Sequence, residues 1–450
     1  MFKKILIANR GEIAVRIIRA AKEMNIETVV IYSEADRNMP AVKMADQAVF
    51  IGKSPLTESY LNYQRVLSAA LASGAEAVHP GYGLFAENAD FAEACIALGL
   101  KFIGPSPDVI LNMGDKTIAR ELMKKGGIPV VPGTDKPIKE EELKQVAKEI
   151  GFPIMMKAAV GGGGKGMRII NDEKELLHVY PMAVEEARKS FGDSRIFLEK
   201  YISKVKHIEV QIISDKYGNH VHLYERDCSL QRRHQKVVEE APALILTEDI
   251  RLELTAQAIE VAKLAGYDSV GTIEFLYDQD KKEFYFIEMN TRIQVEHPIS
   301  EAITGIDLVK EQISIAAGNK LSFNQNEIKK EGHAIECRIN AENPDNNFCP
   351  SPGKINKYWE PGGLGVRIDS GICSGIEITP FYDALLLKII TKGKNRQEAL
   401  KKMEVALKEC IVDGINTNIN FLSRLLDNDE VVSGKYNTQT IANMLNGGKK

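Results

Sequence analysis

The sequence is poor in cysteine and has no long apolar run. Its six cysteines lie far apart and form no Cys-x-x-Cys pair, so neither a zinc site nor a disulfide framework is expected. A reducing cytoplasm is therefore the predicted location. No apolar run approaches the roughly 18 residues that a membrane span needs. The apolar stretch after Lys3 and Lys4 ends at Arg10, which is too early for a signal peptide.

An excess of charge of one sign is also missing. The formal net charge is −4 and neither half of the chain is strongly basic, which argues against nucleic acid as a partner. Internal repeats and low-complexity segments are absent too. The sequence does contain 44% hydrophobic and 27% charged residues over 450 positions. This composition and length are typical of a soluble globular protein with roughly two to four domains.

Strand and helix patterns alternate along the first third of the chain. Strand-like apolar runs occur at residues 4–8, 28–32, 75–79 and 101–104. The segments between these runs have apolar residues at helical spacing. This alternation predicts a parallel sheet that is covered by helices. Clusters of proline and glycine follow, and they predict a domain boundary near Met113.

The remainder of the chain has a different organisation. Strand-like runs at 154–158, 168–170 and 196–199 surround a glycine run and one helix. Hairpin-like pairs and helices follow, and near Gly332 the chain passes into a final α+β segment. We therefore predict three domains, at residues 1–113, 114–330 and 331–450, with a lid at about 131–204 inside the second.

The glycine run from Gly161 to Gly166 is a candidate phosphate-binding loop. Glycines let backbone N–H groups approach phosphate oxygens closely and tolerate positive φ. The run is not a Walker A loop, because Gly166 rather than serine or threonine follows Lys165. The alternative is a flexible surface turn. Lys157 favours the phosphate role, because a lysine at the end of the preceding strand could reach a phosphate.

Two acidic residues on consecutive predicted strands form a candidate metal site. The strands flank a turn at 278–282, and pairing about position 281 sets Glu274 opposite Glu288. Directly opposed side chains have Cβ atoms about 5 Å apart, so the two carboxylates repel unless a cation lies between them. Mg²⁺ at nucleotide phosphates uses one or two carboxylates, and Asn290 adds an oxygen on the same face. The alternative is a solvated polar face.

Polar residues are also dense at 290–298 and at 225–236. In the first segment, Arg292 can bind a small planar anion through two hydrogen bonds. Glu296 is a candidate general base, because a carboxylate beside Arg292 stays ionised. A structural ion pair is the alternative. The second segment mixes acids, amides and His234, which suits contacts with nucleotides and anions better than a solvated basic face does.

These segments together resemble the biotin carboxylase branch of the ATP-grasp family, from Ile7 to about Thr417. The resemblance rests on six blocks in order: HPGYG at 79–83, MGDK at 113–116, the glycine run, ERDCSLQRRHQKVVEE at 225–240, FIEMNTRIQVEHP at 286–298 and ECRINAE at 336–342. It implies an α/β fold with an N-terminal doubly wound parallel sheet, an ATP-grasp core with a mobile lid and a C-terminal α+β domain. The implied reaction is ATP-dependent carboxylation of biotin by bicarbonate through carboxyphosphate.

The resemblance also implies a role for each matching residue. ATP would contact Lys116, Lys157, Gly163, Gly164, Glu199, Lys200, Tyr201, Ile202, His207, Gln231 and His234. Mg²⁺ or Mn²⁺ would be bound by Glu274, Glu288 and Asn290. Bicarbonate would be held by Lys236, Arg292, Gln294 and the Val295 backbone. Glu296 would deprotonate bicarbonate, Arg338 would stabilise negative charge on biotin, and Tyr82 would lie near the biotin ring.

The implied partners are a biotin carboxyl carrier protein, a carboxyltransferase and a second copy of the chain. The carboxylase would be acetyl-CoA carboxylase in fatty acid synthesis, with pyruvate or another acyl-CoA carboxylase as the alternative. No Met-Lys-Met biotin-attachment sequence occurs and the chain ends at Lys450, so biotin is expected on another polypeptide and not covalently on this one. The chain departs from the family pattern at Val160, Lys165 and 84–86, which affects the expected loop motion more than the chemistry.

Two other interpretations compete with this one. Another ATP-grasp ligase would share the metal and phosphate residues, but it gives no reason for the 292–296 block together with Arg338. A nucleotide-binding regulatory module or a dinucleotide oxidoreductase would fit the N-terminal sheet, but no GxGxxG follows the first strand.

Overall fold

The computed structural model describes residues 1–159 and 167–447, and its first region is a five-stranded parallel sheet. The strands are β1 (Lys4–Ile7), β2 (Glu27–Ser33), β3 (Gln47–Gly52), β4 (Ala77–His79) and β5 (Lys101–Phe102), in the order β3-β2-β1-β4-β5. The helices are α1 (Gly11–Glu23), α2 (Pro40–Met44), α3 (Tyr63–Ser73), α4 (Ala89–Ala97) and α5 (Pro107–Gly114).

Both faces of this sheet are covered, as the doubly wound prediction requires. On β1, Ile5 and Ile7 pack with α1 on one face, and Leu6 packs with α3 on the other. Strands that are buried on both faces read as continuous apolar runs, which is why the sequence predicted them. The prediction missed β3, because this edge strand exposes Gln47 and Phe50 and carries little apolar signal.

The second region contains a small antiparallel sheet that corresponds to the predicted lid strands. Its elements follow α6 (Lys116–Lys125) and are α7 (Leu143–Ile150), β6 (Ile154–Ala158), β7 (Met167–Ile170), α8 (Glu173–Phe191) and β8 (Ile196–Lys200), with the strand order β7-β6-β8. Lys200 N donates to Pro132 O at 2.7 Å, which joins the incoming segment to β8. The glycine run, with Gly163, Gly164 and Lys165, lies outside the described residues.

An eight-stranded sheet forms the centre of the molecule, in the order β13-β12-β9-β10-β11-β14-β21-β19. The elements up to its middle are β9 (Val205–Ser214), β10 (His220–Arg232), β11 (Gln235–Ala241), α9 (Glu248–Leu264), β12 (Val270–Asp278), β13 (Glu283–Asn290), α10 (His297–Thr304) and α11 (Leu308–Ala316). Apolar residues of β9, β12 and α9 share one buried cluster, so the helix covers one face of the sheet and leaves the other for polar side chains.

The last region adds strands to the same sheet. Its elements are β14 (His333–Asn340), β15 (Glu342–Asn343), β16 (Cys349–Pro350), β17 (Gly353–Lys354), β18 (Lys357–Trp359), β19 (Val366–Ser370), β20 (Glu377–Ile378), β21 (Leu385–Gly393), α12 (Arg396–Glu409), β22 (Ile411–Asp413), α13 (Ile419–Leu426), α14 (Asp429–Val432) and α15 (Thr440–Gly447). Because β11 pairs directly with β14, the sheet continues across the boundary expected at 330. The three-domain division stays a prediction.

The cysteines and the helices agree with the first expectations from the sequence. All six cysteines are unpaired. Among residues 1–159 and 167–447, no helix combines the length and the apolar content that crossing a bilayer requires.

Candidate active site

One face of the eight-stranded sheet carries two rows of directly opposed charged side chains. The first row crosses β13, β12, β9 and β10 and consists of Glu288, Glu274, Glu209 and Arg226. The second row crosses β14, β21 and β19 and consists of Arg338, Lys388 and Asp369. Opposed residues have Cβ atoms about 5 Å apart, so neighbouring charges in each row must be compensated.

Strand β9 illustrates why these side chains share one face. His207, Glu209 and Gln211 alternate with Ile208 and with buried apolar residues that pack under α9. Successive side chains of a strand point to opposite faces, so the apolar set enters the core and the polar set lines the cleft. The sheet is therefore a rigid platform for the site.

Lys236 on β11 is the centre of a group of ionic contacts that we name the Lys236 cluster. Its Nζ contacts Glu209, Glu274 Oε1 at 2.9 Å and Glu296 Oε1 at 2.7 Å. Burial would lower the pKa of Lys236, but the three carboxylates outweigh burial and raise that pKa well above its ordinary value. Lys236 is therefore a permanent cation in this part of the cleft.

Glu296 lies between two cations, Lys236 of this cluster and Arg338 on β14. One oxygen accepts from Lys236, and the other accepts from Arg338 Nη2 at 2.8 Å. Burial would raise the pKa of Glu296, but Lys236 and Arg338 outweigh burial and lower that pKa well below its ordinary value. The carboxylate is therefore ionised, as the sequence predicted.

Arg338 rather than Arg292 contacts Glu296 directly, although Glu296, after Glu87, also raises the pKa of Arg292 against the effect of burial. Arg292 donates instead to Glu87 Oε2 at 2.8 Å and to Asn290 Oδ1 at 3.0 Å. Arg292 thus extends from the cluster towards the first region of the chain.

The predicted opposition of Glu274 and Glu288 is confirmed, although the register near the turn differs. The structure pairs Asp278 with Glu283, whereas pairing about position 281 would have matched Asp278 with Phe284. The register shifts by one between the turn and the carboxylates, because Ile287 is an extra, unpaired residue in β13. The bulge restores the pairing that the sequence predicted for the two acids.

The electrostatics of this pair suit a divalent cation. Burial and the neighbouring Glu274 raise the pKa of Glu288. Glu274 itself accepts from Asn290 Nδ2 at 2.9 Å and from Gln294 Nε2 at 2.8 Å, and its other oxygen lies 2.8 Å from His207 Nε2. Glu274 is buried and Glu288 is partly buried, and two opposed carboxylates with the Asn290 amide beside them supply the kind of oxygen ligand that Mg²⁺ prefers.

A second group of charges, which we name the Glu199 cluster, lies on the lid side of the cleft. Glu199 contacts Lys157 through one oxygen and Arg120 Nη1, at 2.8 Å, through the other. Burial, and then the proximity of Lys157, lower the pKa of Lys116. The resemblance assigned Glu199 to ATP, and this role stays a prediction, while in the structure the Glu199 carboxylate contacts Lys157 and Arg120.

The remaining residues assigned to the nucleotide line the same end of the cleft. Lys200 Nζ donates to Gly151 O at 2.8 Å, and Tyr201 Oη accepts from Gln439 Nε2 at 2.7 Å. Gln231 Nε2 lies 2.9 Å from His207 Nδ1. The other ring nitrogen of His207, Nε2, lies 2.8 Å from the metal candidate Glu274. Ile202 is partly exposed, and Arg233 and His234, both with positive φ, form the tight turn between β10 and β11.

Tyr82 and Arg338 border the third side of the cleft. Arg338 Nε donates to Glu239 Oε1 at 2.6 Å while Nη2 holds Glu296, so the guanidinium spans two carboxylates. Tyr82 Oη donates to Glu12, which lies at the start of α1. The two residues assigned to biotin are thus held by different carboxylates, Arg338 by Glu239 and Glu296 and Tyr82 by Glu12.

Several residues of the site carried no role in the sequence prediction. They are Glu12, Glu87, Arg120, Glu209, Arg226, Glu239 and Lys388. The period-two alternation of β9 could have revealed Glu209, because a glutamate there interrupts an apolar strand on its polar face. The fully buried Arg226 contacts Glu209, Gln211 and Gln294 among others, and no local pattern indicates such a set.

Three family models match the chain in succession. They are the biotin carboxylase N-terminal domain over residues 1–110, the ATP-binding domain of the carbamoyl-phosphate synthase L chain over 115–324 and the biotin carboxylase C-terminal domain over 336–443. Together they cover the fold from the parallel sheet to the last helices.

Similar proteins match over nearly their whole length. Biotin carboxylase 1 of Bacillus subtilis is 51% identical and covers 98% of each chain. The small subunit of Hydrogenobacter thermophilus 2-oxoglutarate carboxylase is 50% identical and covers 98% of this chain and 93% of the relative. The biotin carboxylase domain dimer of that 2-oxoglutarate carboxylase, solved with MgADP, ADP and bicarbonate, has a TM-score of 0.95 at 50% identity, with 98% and 97% of the two chains covered.

Proposed function

The chain belongs to the biotin carboxylase family of ATP-dependent carboxylating ligases, and from this premise we propose that it performs the first half-reaction of acetyl-CoA carboxylase. ATP and bicarbonate form carboxyphosphate, and the carboxyl group then passes to biotin on a separate carrier protein. Because relatives at about 50% identity include components of pyruvate and 2-oxoglutarate carboxylases, pyruvate or another acceptor is the second candidate.

The position of Glu296 is the observation that carries the proposed chemistry. Its two oxygens contact different cations, Lys236 at 2.7 Å and Arg338 at 2.8 Å. One carboxylate thereby touches the residue assigned to bicarbonate and the residue assigned to biotin. A general base at this point can take the proton of bicarbonate within reach of both substrates.

Binding of bicarbonate changes the environment of this base. The anion gives Lys236 a new acceptor, and Lys236 then stabilises the Glu296 carboxylate less. Because Lys236 is the first of the cations that lower the pKa of Glu296, a weaker contact with Lys236 makes proton uptake by this carboxylate easier. Arg292, Gln294 and the Val295 backbone hold the anion for attack on the γ-phosphate.

Two further groups of residues, the Glu199 cluster with Lys116 and the metal candidates, assist transfer of the phosphoryl group. Lys116 and Lys157 neutralise phosphate charge, and Glu199 keeps Lys157 oriented. Mg²⁺ would be held by Glu274, Glu288 and Asn290, and when bound it neutralises further charge on the phosphates. The proposed lid closes over the nucleotide, which protects carboxyphosphate from water.

The proposed partners follow from the same assignment. We propose a cytoplasmic homodimer that acts on a biotinylated carrier and with a separate carboxyltransferase. The dimer is supported by the Hydrogenobacter thermophilus relative, which is described as a dimer. A tethered biotin has a high effective concentration at the site, so a carrier should be a better substrate than free biotin.

Three measurements test this function. ADP release by the purified chain should require bicarbonate and rise further with biotinylated carrier, and ATP cleavage that is independent of bicarbonate would contradict the proposal. Copurification from the native cell with a carboxyltransferase, followed by assays with acetyl-CoA and with pyruvate, distinguishes the two candidate acceptors. Intact mass after coexpression with a biotin ligase should show no added biotin.

A further inference from the structure

A fully buried lysine from the last region of the chain contacts the backbone assigned to bicarbonate. Lys388 on β21 has 0% of its side chain exposed, and its Nζ donates to Val295 O at 2.7 Å. Val295 itself is only partly buried and lies between Gln294 and Glu296 at the cleft. A buried ammonium requires partners, and one partner of Lys388 is a carbonyl of the segment assigned to bicarbonate.

The peptide on the other side of Val295 is also held by a buried side chain. Gln294 O accepts from His297 Nδ1 at 2.7 Å. Burial and then Lys388 keep the pKa of His297 well below its ordinary value, so the ring is neutral and its hydrogen lies on Nδ1. Each peptide is planar, so fixing the carbonyls of Gln294 and Val295 fixes the directions of the next two N–H groups.

Lys388 is in turn held by the first region of the chain. Its Nζ lies 3.0 Å from Glu12 Oε1, and Glu12 also accepts from Tyr82 Oη. The close packing of the two regions makes this possible. A Cβ on Gly371 would lie 2.6 Å from Glu12 N, so only glycine permits this approach. A continuous path of contacts thus runs from Tyr82 through Glu12 and Lys388 to Val295.

We propose that Lys388 is a positioning residue for bicarbonate, and that Glu12 couples it to Tyr82 on the biotin side. The inference rests on the proposed function, because it takes the Val295 backbone as the bicarbonate contact. Lys388 does not touch substrate. It fixes the carbonyl of Val295 and therefore the peptide that joins Val295 to Glu296, while His297 fixes the peptide that carries the Val295 N–H. Together they hold both sides of the assigned bicarbonate contact, and Tyr82 influences the first of these peptides through Glu12.

A purely structural role for Lys388 predicts different kinetics, so the test is a comparison of Michaelis constants. The double variant Lys388→Met with Glu12→Gln removes the ammonium and one opposing charge together, which avoids a buried unpaired carboxylate at Glu12. We expect the KM for bicarbonate to rise about 10-fold, the loss of a charged hydrogen bond, with the KM for ATP unchanged. Lys392→Met, on the same strand and partly exposed, is the control with wild-type constants.

Two outcomes would overturn the positioning role. An unchanged KM for bicarbonate is one, and an equal rise in the constants for ATP and bicarbonate, which indicates general damage, is the other. If the double variant does not fold, Lys388→Arg keeps the charge beside Glu12 but cannot present the same donor to Val295 O. This variant should also raise the KM for bicarbonate, and a wild-type value there would refute the proposal.

The coupling to Tyr82 has its own test. Tyr82→Phe removes the hydrogen bond to Glu12, so it should raise the KM for bicarbonate in the wild-type background and leave it unchanged in the Lys388 double variant. Independent, additive effects would refute the coupling. Failure of the proposed function is distinguishable from both results, because wild-type enzyme would then show no bicarbonate-dependent ATP cleavage at all.

Discussion

The Glu199 cluster and the Lys236 cluster balance charge in opposite ways. In the first, Lys116, Lys157 and Arg120 surround the single carboxylate Glu199, so cations are in excess. In the second, one ammonium at Lys236 contacts three carboxylates. An incoming phosphate therefore meets a cluster in which cations outnumber carboxylates, whereas bicarbonate must compete for Lys236 with the carboxylates that Lys236 already contacts. The difference predicts tight nucleotide binding and weaker, competitive binding of bicarbonate.

The largest expected effect comes from replacing Glu296, the general base in the Lys236 cluster. Glu296→Gln keeps the shape of the side chain and removes the proton acceptor, so turnover should fall by about 100-fold or more. The Glu199 cluster is untouched, and the nucleotide dissociation constant should stay at its wild-type value. Glu331→Gln, at an exposed glutamate, is the control. Near wild-type turnover in Glu296→Gln would remove this residue from the mechanism.

A smaller effect should separate the two halves of the reaction. Arg338→Ala removes the cation that faces biotin and leaves Lys236 on Glu296, so biotin carboxylation should fall about 10-fold further than bicarbonate-dependent ATP hydrolysis does. Parallel assays of carboxybiotin and ADP measure the ratio. Equal losses would mean that Arg338 supports the base alone.

The metal pair lies where the two clusters meet, and its loss should be milder. Glu288→Gln removes one carboxylate from the pair with Glu274, so the Mg²⁺ concentration for half-maximal activity should rise about 10-fold. Glu283→Gln, at the exposed end of the same strand, is the matched control. Superimposable magnesium titrations of Glu288→Gln and wild type would exclude this pair as the ligand set.

The smallest predicted effect is a difference in alkaline pH dependence. The pKa of Lys116 is lowered by burial and by Lys157, whereas carboxylates raise the pKa of Lys236, so Lys116 loses its proton first as the pH rises. Between about pH 7 and 10, kcat/KM for ATP should fall before kcat/KM for bicarbonate, after correction for the ionisation of bicarbonate. Lys116→Arg should abolish this difference, because arginine stays charged throughout the range. A decline of both profiles at the same pH would contradict the assignment.

Local sequence patterns predicted most of the sheets and the metal pair. The buried strands of the first region and the hairpin around Glu274 and Glu288 carry their periodicity within a few residues, and the structure has them where the patterns indicated. The edge strand β3 was missed because its outer side chains face solvent. Local signals of this kind depend on burial, and they fail where a strand has only one buried side.

Contacts between distant segments could not be predicted from spacing. Glu12 and Lys388 lie near opposite ends of the chain, and their 3.0 Å contact depends on how the first and last regions pack. The contact of Arg292 with Glu87 was not foreseen for the same reason, since Glu87 comes from a loop of the first region. The resemblance supplied residue roles, but the ionic network that tunes each residue arises only in the folded chain.

Because Ile287 is an extra residue, the alternation of side chains between the two faces of the sheet shifts by one residue within β13. Residues before Ile287 follow the alternation set by the turn, and Glu288 onward follow an alternation shifted by one. Deletion of the codon for Ile287 would give β13 one continuous alternation and keep Glu288 opposite Glu274. Deletion of the codon for Met289 would instead turn Asn290 towards the core. A codon-deletion scan of this strand should therefore find its most tolerated position at the extra residue, an asymmetry that substitution scanning cannot reveal.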